Sequence, residues 1–135
     1  MVTQISVFLE NKDGNLARIL HILEEAHIDI RALSLADSID FGMLRMIVSD
    51  ASAARAALEK ASCLSTLTPV CGAIVPDKVG GLTGLLDVLS AEGIAIEYMY
   101  SYLTADADGA HMILRVADPA AAEKLLVSKG YALIV

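Results

Sequence analysis

DKVGGLTGLL, residues 77–86, repeats the pattern of an earlier stretch, NKDGNLARIL, residues 11–20. Each runs from a polar residue through lysine and glycine into leucines. Laying the second half on the first with a shift of 66 places Leu82, Leu85, Leu86 and Leu89 on Leu16, Ile19, Leu20 and Leu23. Both quartets follow the i, i+3, i+4, i+7 spacing of one apolar helix stripe. Ile94 and Ile96 fall on Ile28 and Ile30, at the start of an alternating stretch after a helix stop. Beyond a two-residue insertion around DADG (106–109) the shift becomes 68, and Leu126 falls on Leu58. Loops accept such insertions readily. The chain is a duplicated unit, with halves expected at 1–68 and 69–135.

Each half reads strand, helix, strand, strand, helix, strand. In the first, Ile5, Val7 and Leu9 alternate. A helix is expected near 14–26, a strand at 28–36, a hairpin at Asp37–Gly42, a strand at 43–49 and an Ala-rich helix over 51–61. In the second, Cys71, Ala73 and Val75 alternate. A helix is expected near 81–92, strands at 94–103 and 110–117, a helix at 119–129 stopped by Gly130, and a closing strand in YALIV. Two βαββαβ units define an α+β, ferredoxin-like class: antiparallel sheets with both helices of a unit on one face. A unit of about 65 residues buries only roughly 60% of its unfolded surface and exposes sheet edges. Packing two such units together addresses both deficits.

Composition narrows the partners. Of 135 residues, 56% are hydrophobic and 20% charged, which suits a packed core. The net charge of −7 and scattered Lys and Arg argue against nucleic acid. No apolar run reaches the roughly 18–20 residues of a membrane span, and MVTQISVFLE does not read as a secretion signal. Cys63 and Cys71 lack metal or redox spacing, read as small core residues and fit a cytoplasmic location. His21, His27 and His111 have no metal-site spacing. DADG opens like a calcium loop, but Ala117 stands where the closing glutamate belongs. No nucleophile–base set stands out, so no catalytic residue, cofactor or metal is assigned.

A strand that turns through glycine into a helix leaves backbone N–H groups free, and the helix dipole favours an anion there. The phosphate spacings GxxxxGK[ST] and GxGxxG are absent, so the turns suit something like a carboxylate; they can equally serve only to turn the chain. ENKDGNLARILHILEEAHIDI and PDKVGGLTGLLDVLSAEGIAI both resemble the first βαβ of an ACT domain. The resemblance covers nearly the whole chain twice and is similar to stand-alone tandem ACT proteins, down to IEYMYSY in the second unit. It implies a non-catalytic regulatory protein that binds a small amino acid between ACT units and signals to a partner protein, as a homodimer. The ligand-binding positions implied are Asn11, Gly14, Asn15 and Leu16 in the first turn and Asp77, Lys78, Gly80, Gly81 and Leu82 in the second. Asp29 and Ala95 fall at the family's polar position in the second strand, so a site pairing Asp77 with Asp29 is the better one. Lys12 and Lys78 sit beside the turns and can attract a carboxylate. Asp13 and Val79 stand where many relatives carry proline. Leu9 and Val75 stand where serine-sensing relatives carry histidine, so serine recognition of that type is not implied.

Tyr98, Tyr100 and Tyr102 alternate along one strand face, against the small counterparts Ala32, Ser34 and Ala36. They suit a pocket, an interface or plain packing. The alternative function is a protein-interaction module of the same fold without a small-molecule ligand.

Overall fold

A computed structural model of the chain describes residues 1–10, 13–37, 41–104 and 108–134. Two compact units emerge: Thr3–Thr68, and Met1–Val2 with Pro69–Val135. The first holds β1 (Val2–Glu10), α1 (Asn15–Glu25), β2 (Ile30–Asp37), β3 (Phe41–Val48) and α2 (Ala51–Lys60), and ends in the opening of β4 (Ser65–Val75). The second continues β4 and adds α3 (Gly81–Ala91), β5 (Tyr98–Ser101), β6 (Ala110–Arg115), α4 (Pro119–Ser128) and β7 (Ala132–Leu133).

Strand order in the first unit is β2-β3-β1 and then the start of β4; in the second it is β5-β6-β4, with β7 on the far side of β4. Both are the ferredoxin-like order, antiparallel at β1–β3, β2–β3, β4–β6, β4–β7 and β5–β6. Ile5 lies opposite Met46 and Val7 opposite Leu44; Cys71 lies opposite Leu114 and Ala73 opposite Met112. Period-two alternation therefore puts one apolar face of each sheet under the helices.

The cores repeat residue for residue. The first gathers Ile5, Val7, Leu9, Ile19, Leu23, Leu44, Met46, Val48, Ala54 and Leu58, with Ile28. The second gathers Cys71, Ala73, Val75, Leu85, Leu89, Met112, Leu114, Val116, Ala122 and Leu126, the counterparts of the first ten in order. Ile94, the counterpart of Ile28, packs at the edge. Leu16 and Leu20 pack against the first core, but Leu82 is 38% exposed, so the second stripe begins at Leu85.

Three expected strands are shorter than the pattern suggested: the one at 110–117 loses its last two residues, ending at Arg115, and two others lose more. The strand at 94–103 condenses to β5, because its partner β6 ends at Arg115 and the chain turns into α4, which has Pro119 in its first turn. Residues 94–96 thus have no ladder to join; Glu97 N–H still donates to the Arg115 carbonyl at 2.9 Å. YALIV contributes only Ala132 and Leu133 to β7, although Ile134 N–H reaches the Gly72 carbonyl at 2.9 Å. Of the two expected loop turns, residues 38–40 and 105–107 lie outside the described residues.

The cysteines part company. Cys71 is fully buried in the second core, whereas Cys63 is half-buried and packs at the rim of the first, beyond the left-handed Ser62 that ends the α2 turn. Burial, reinforced by the Glu123 carboxylate and opposed by the N-terminal ammonium, pushes the Cys71 thiol from 9.0 up to about 11. The folded chain keeps this proton where the unfolded chain releases it, so the linked stability is full below pH 9 and falls as pH rises through about 11. Urea midpoints followed across that window should drop more steeply for the wild type than for Cys71→Ala; equal slopes would contradict the assignment.

Candidate functional site: the glycine turns and their clefts

Helix starts within each unit are of two kinds. Asp50 caps α2 by accepting from Ala53 N–H at 3.0 Å, and its counterpart Asp118 caps α4 by accepting from Ala121 N–H at 3.1 Å. α1 and α3 instead follow Gly14 (φ 82°) and Gly80 (φ 84°), left-handed residues that offer no side-chain acceptor. The first intrahelical bonds are Arg18 N–H to Gly14 O at 2.9 Å and Gly84 N–H to Gly80 O at 3.0 Å. Gly81 N–H is used within the turn, donating to Lys78 O at 3.0 Å. By helix geometry, the N–H groups of Leu82 and Thr83 have no intrahelical acceptor. A Cβ at Gly14 or Gly80 would meet nothing within 4 Å, so what requires glycine there is the positive φ, and the backbone is open to approach.

The turns differ one residue on. Asn15 opens α1 and its side-chain amide donates to Glu10 O at 2.7 Å. Its counterpart Gly81 lies so close to the counterpart carbonyl that a Cβ would fall 2.0 Å from Pro76 O. That same carbonyl accepts Lys78 N–H at 2.9 Å, which folds the second turn tightly.

Each turn forms one wall of a cleft within its own unit. The first, about 410 Å3, is lined by residues that include Glu10, Asn15, Arg18, Phe41 and Cys63. The second, about 500 Å3, is lined by Pro76, Lys78, Gly80, Gly81, Gly84 and residues of the α4–β7 turn, with Asp108. Both volumes fall in the common range for small-molecule pockets, about 300–1,000 Å3. Of the residues proposed from sequence, Lys78, Gly80 and Gly81 come together on the second cleft, and Asn15 alone lines the first. Asp77 and Leu82 are exposed beside the second cleft's turn but are not on its lining, and Leu16 turns to the first core. Asn11 and Lys12 lie outside the described residues. Asp29 immediately precedes β2 and is exposed, its N–H donating to Ser49 Oγ at 3.0 Å and its carbonyl accepting Ser49 N–H at 2.9 Å.

The tyrosines lie elsewhere. Tyr98 and Tyr100 stack with ring centroids 6.5 Å apart, and Tyr102 stacks on His111 at 5.1 Å. Met99, between the first two, packs on the second core, so the tyrosines occupy the opposite sheet face. None of them lines either cleft. Sequence reasoning missed Gly84, Asp108, Lys129, Gly130 and Tyr131; the repeat held a signal, since Gly84, Gly130 and Tyr131 replace Arg18, Ser62 and Cys63. Among the described residues, no His, Cys, Asp and Glu group is placed to hold a metal ion, and no helix is long and apolar enough to cross a membrane.

Two ferredoxin-like units, each with a helix start left uncapped by a side chain and set beside a cleft, define a class of small paired α+β modules. The chain belongs to the ACT domain pair family, whose model matches residues 1–134. Among solved structures, protein BT0572 from Bacteroides thetaiotaomicron is 38% identical, with a TM-score of 0.91 over 98% of this chain and 91% of that one. The regulatory subunit of aspartate kinase from Thermus thermophilus, in its ligand-free form, shares the fold at 16% identity and a TM-score of 0.67 over 95% and 92% of the two chains. The Thermus flavus subunit does so at 17% identity and a TM-score of 0.63, over 93% and 90%. No curated protein matches the chain.

Proposed function

We propose that this protein is a non-catalytic regulatory module that binds a small amino acid through the glycine turn of its second unit. The carrying observation is the uncapped start of α3, beside a cleft lined by Lys78 and the bare backbone of Gly80 and Gly81. In this reading the N–H groups of Leu82 and Thr83 and the Lys78 ammonium receive the α-carboxylate. Asp77, exposed in the same turn, accepts the α-ammonium. Hydrogen bonds to charged groups contribute about 1.5–3 kcal/mol each, so a few support micromolar binding near −8 kcal/mol. The ligand regulates to the extent that these contacts differ between two conformations of the protein or of its complex with a partner. Membership of the ACT domain pair family supports the regulatory class, and the fold shared with aspartate kinase regulatory subunits is consistent with it.

Thermal unfolding against each of the twenty amino acids tests the proposal. A ligand at 100 times its Kd should stabilise by about 2.7 kcal/mol and raise the midpoint by roughly 5 °C. The rise should appear with one amino acid or a chemically related few, and shrink in Asp77→Ala. A flat panel would reject the sensor reading in favour of a protein-interaction module.

A further inference from the structure

The two clefts occupy equivalent places in the repeat, which makes their differences informative. In the first, side chains tie the walls together. Asn15 donates across to Glu10 O at 2.7 Å; Arg18 reaches from α1 to Ala61 O at 2.9 Å and to Cys63 Sγ at 3.5 Å. These bonds join the helix start to the end of β1 and to the α2–β4 turn, so the walls of the first cleft are fastened to one another. In the second cleft the counterparts of Asn15 and Arg18 are Gly81 and Gly84, which have no side chain to make either tie. Ser62 is likewise replaced by Gly130, and Tyr131 stands in place of Cys63, its hydroxyl 3.4 Å from where a Gly84 Cβ would lie.

Charge changes in the same direction. Among the described residues, the charged ones lining the first cleft are Glu10 and an arginine already donating to protein acceptors; Lys12 and Asp40, the counterparts of Lys78 and Asp108, lie outside them. The second replaces Glu10 by Pro76 and Ala61 by Lys129, which removes one carboxylate and adds one ammonium; its lining carries Lys78, Lys129 and Asp108. The two cations complement a molecule with two carboxylates, its ammonium left to Asp77 in the adjoining turn, and the cleft volume of about 500 Å3 leaves room for it.

We infer that the second unit's cleft is the ligand-bearing one of the pair and that it takes a small amino dicarboxylate, one molecule per chain, with Lys129 receiving the side-chain acid. The inference rests on the amino-acid reading given above and specifies its ligand class. Arg18 is the latch that ties the walls of the first cleft, and Gly84 is the position whose bareness leaves the second without one.

Isothermal titration of the full chain with aspartate, glutamate, their amides and leucine decides the matter. One dicarboxylate should bind with a stoichiometry of one, and its amide at least about tenfold more weakly, as expected for losing one charge-assisted contact. Lys129→Gln should weaken the dicarboxylate about tenfold and leave the amide unchanged. Gly84→Arg, which installs the first unit's latch in the second, should abolish binding while leaving the thermal midpoint at or above wild type; Arg18→Ala should leave binding unchanged. Binding of leucine or an amide as tightly as the dicarboxylate would overturn this inference but keep the amino-acid reading. A stoichiometry of two, or a folded Gly84→Arg protein that still binds, would do the same. No binding by any of the twenty amino acids would overturn both.

Discussion

Gly81→Ala is expected to lower the unfolding free energy by about 3 kcal/mol, the upper part of the range for overpacking. The added Cβ would fall 2.0 Å from the Pro76 carbonyl oxygen, and the atom in its way is backbone. That oxygen holds Lys78 N–H at 2.9 Å, and Lys78 O in turn holds Gly81 N–H at 3.0 Å, so relieving the clash means opening the turn itself. Gly84 provides the control. A Cβ there reaches Tyr131 Oη at 3.4 Å, an ordinary contact, and Gly84→Ala inside a helix should gain up to about 1 kcal/mol from propensity. Urea unfolding of both variants separates space from backbone preference. A Gly81→Ala protein within about 0.5 kcal/mol of wild type would show that the turn yields without cost.

Leu23→Ala and Leu89→Ala should each remove about 3 kcal/mol, within the 2–5 kcal/mol observed for buried leucines. Both side chains are fully buried at matching places in the two cores. Each carbonyl also closes its helix, Leu23 O accepting from Ile28 N–H at 3.0 Å and Leu89 O from Ile94 N–H at 3.0 Å. Truncation leaves the backbone bonds in place, so the loss reports the cavity and the apolar transfer alone. Val127→Ala, on the exposed face of α4 and itself 57% exposed, should stay within about 0.5 kcal/mol in the same denaturation series. A large loss at Val127, or none at Leu89, would mean that the helix faces are misassigned.

Much of the fold was legible because the signals were local and occurred twice. Ile19 and Leu23 with Leu85 and Leu89 mark two helix faces, and alternation at Ile5–Leu9 and Cys71–Val75 marks two buried strand faces. Gly14 and Gly80 mark two turns of positive φ. What escaped the sequence was tertiary. Pattern alone extends the second strand of the second unit back to Ile94, and only the end of β6 at Arg115 shortens it. Leu82 keeps the helical spacing yet stays 38% exposed, whereas its counterpart Leu16 packs against the first core, a difference the shared spacing does not carry. The second cleft joins a helix start to a helix end some fifty residues later. The proximity of Lys78 to Lys129 and Tyr131 therefore belongs to the topology, and Asp77, one residue from Lys78, falls off the lining.

A chain written twice risks confusing its own parts: β1 and β4 have the same alternation and lead into the same turn, so during folding either could be taken up by the wrong core. The matched cores contain a safeguard. Ile5, Val7 and Leu9 in β1 correspond to Cys71, Ala73 and Val75 in β4, a smaller residue at every inward position. Seated in the first core, the β4 segment would leave three adjoining voids; seated in the second, β1 would force three oversized side chains into filled space. Lost methyl groups cost about 0.5–1.5 kcal/mol each and overpacking about 1–3 kcal/mol, so either exchange is penalised several times over. Side-chain volume gives each strand an address, and the duplicated chain can sort its halves without any difference in fold.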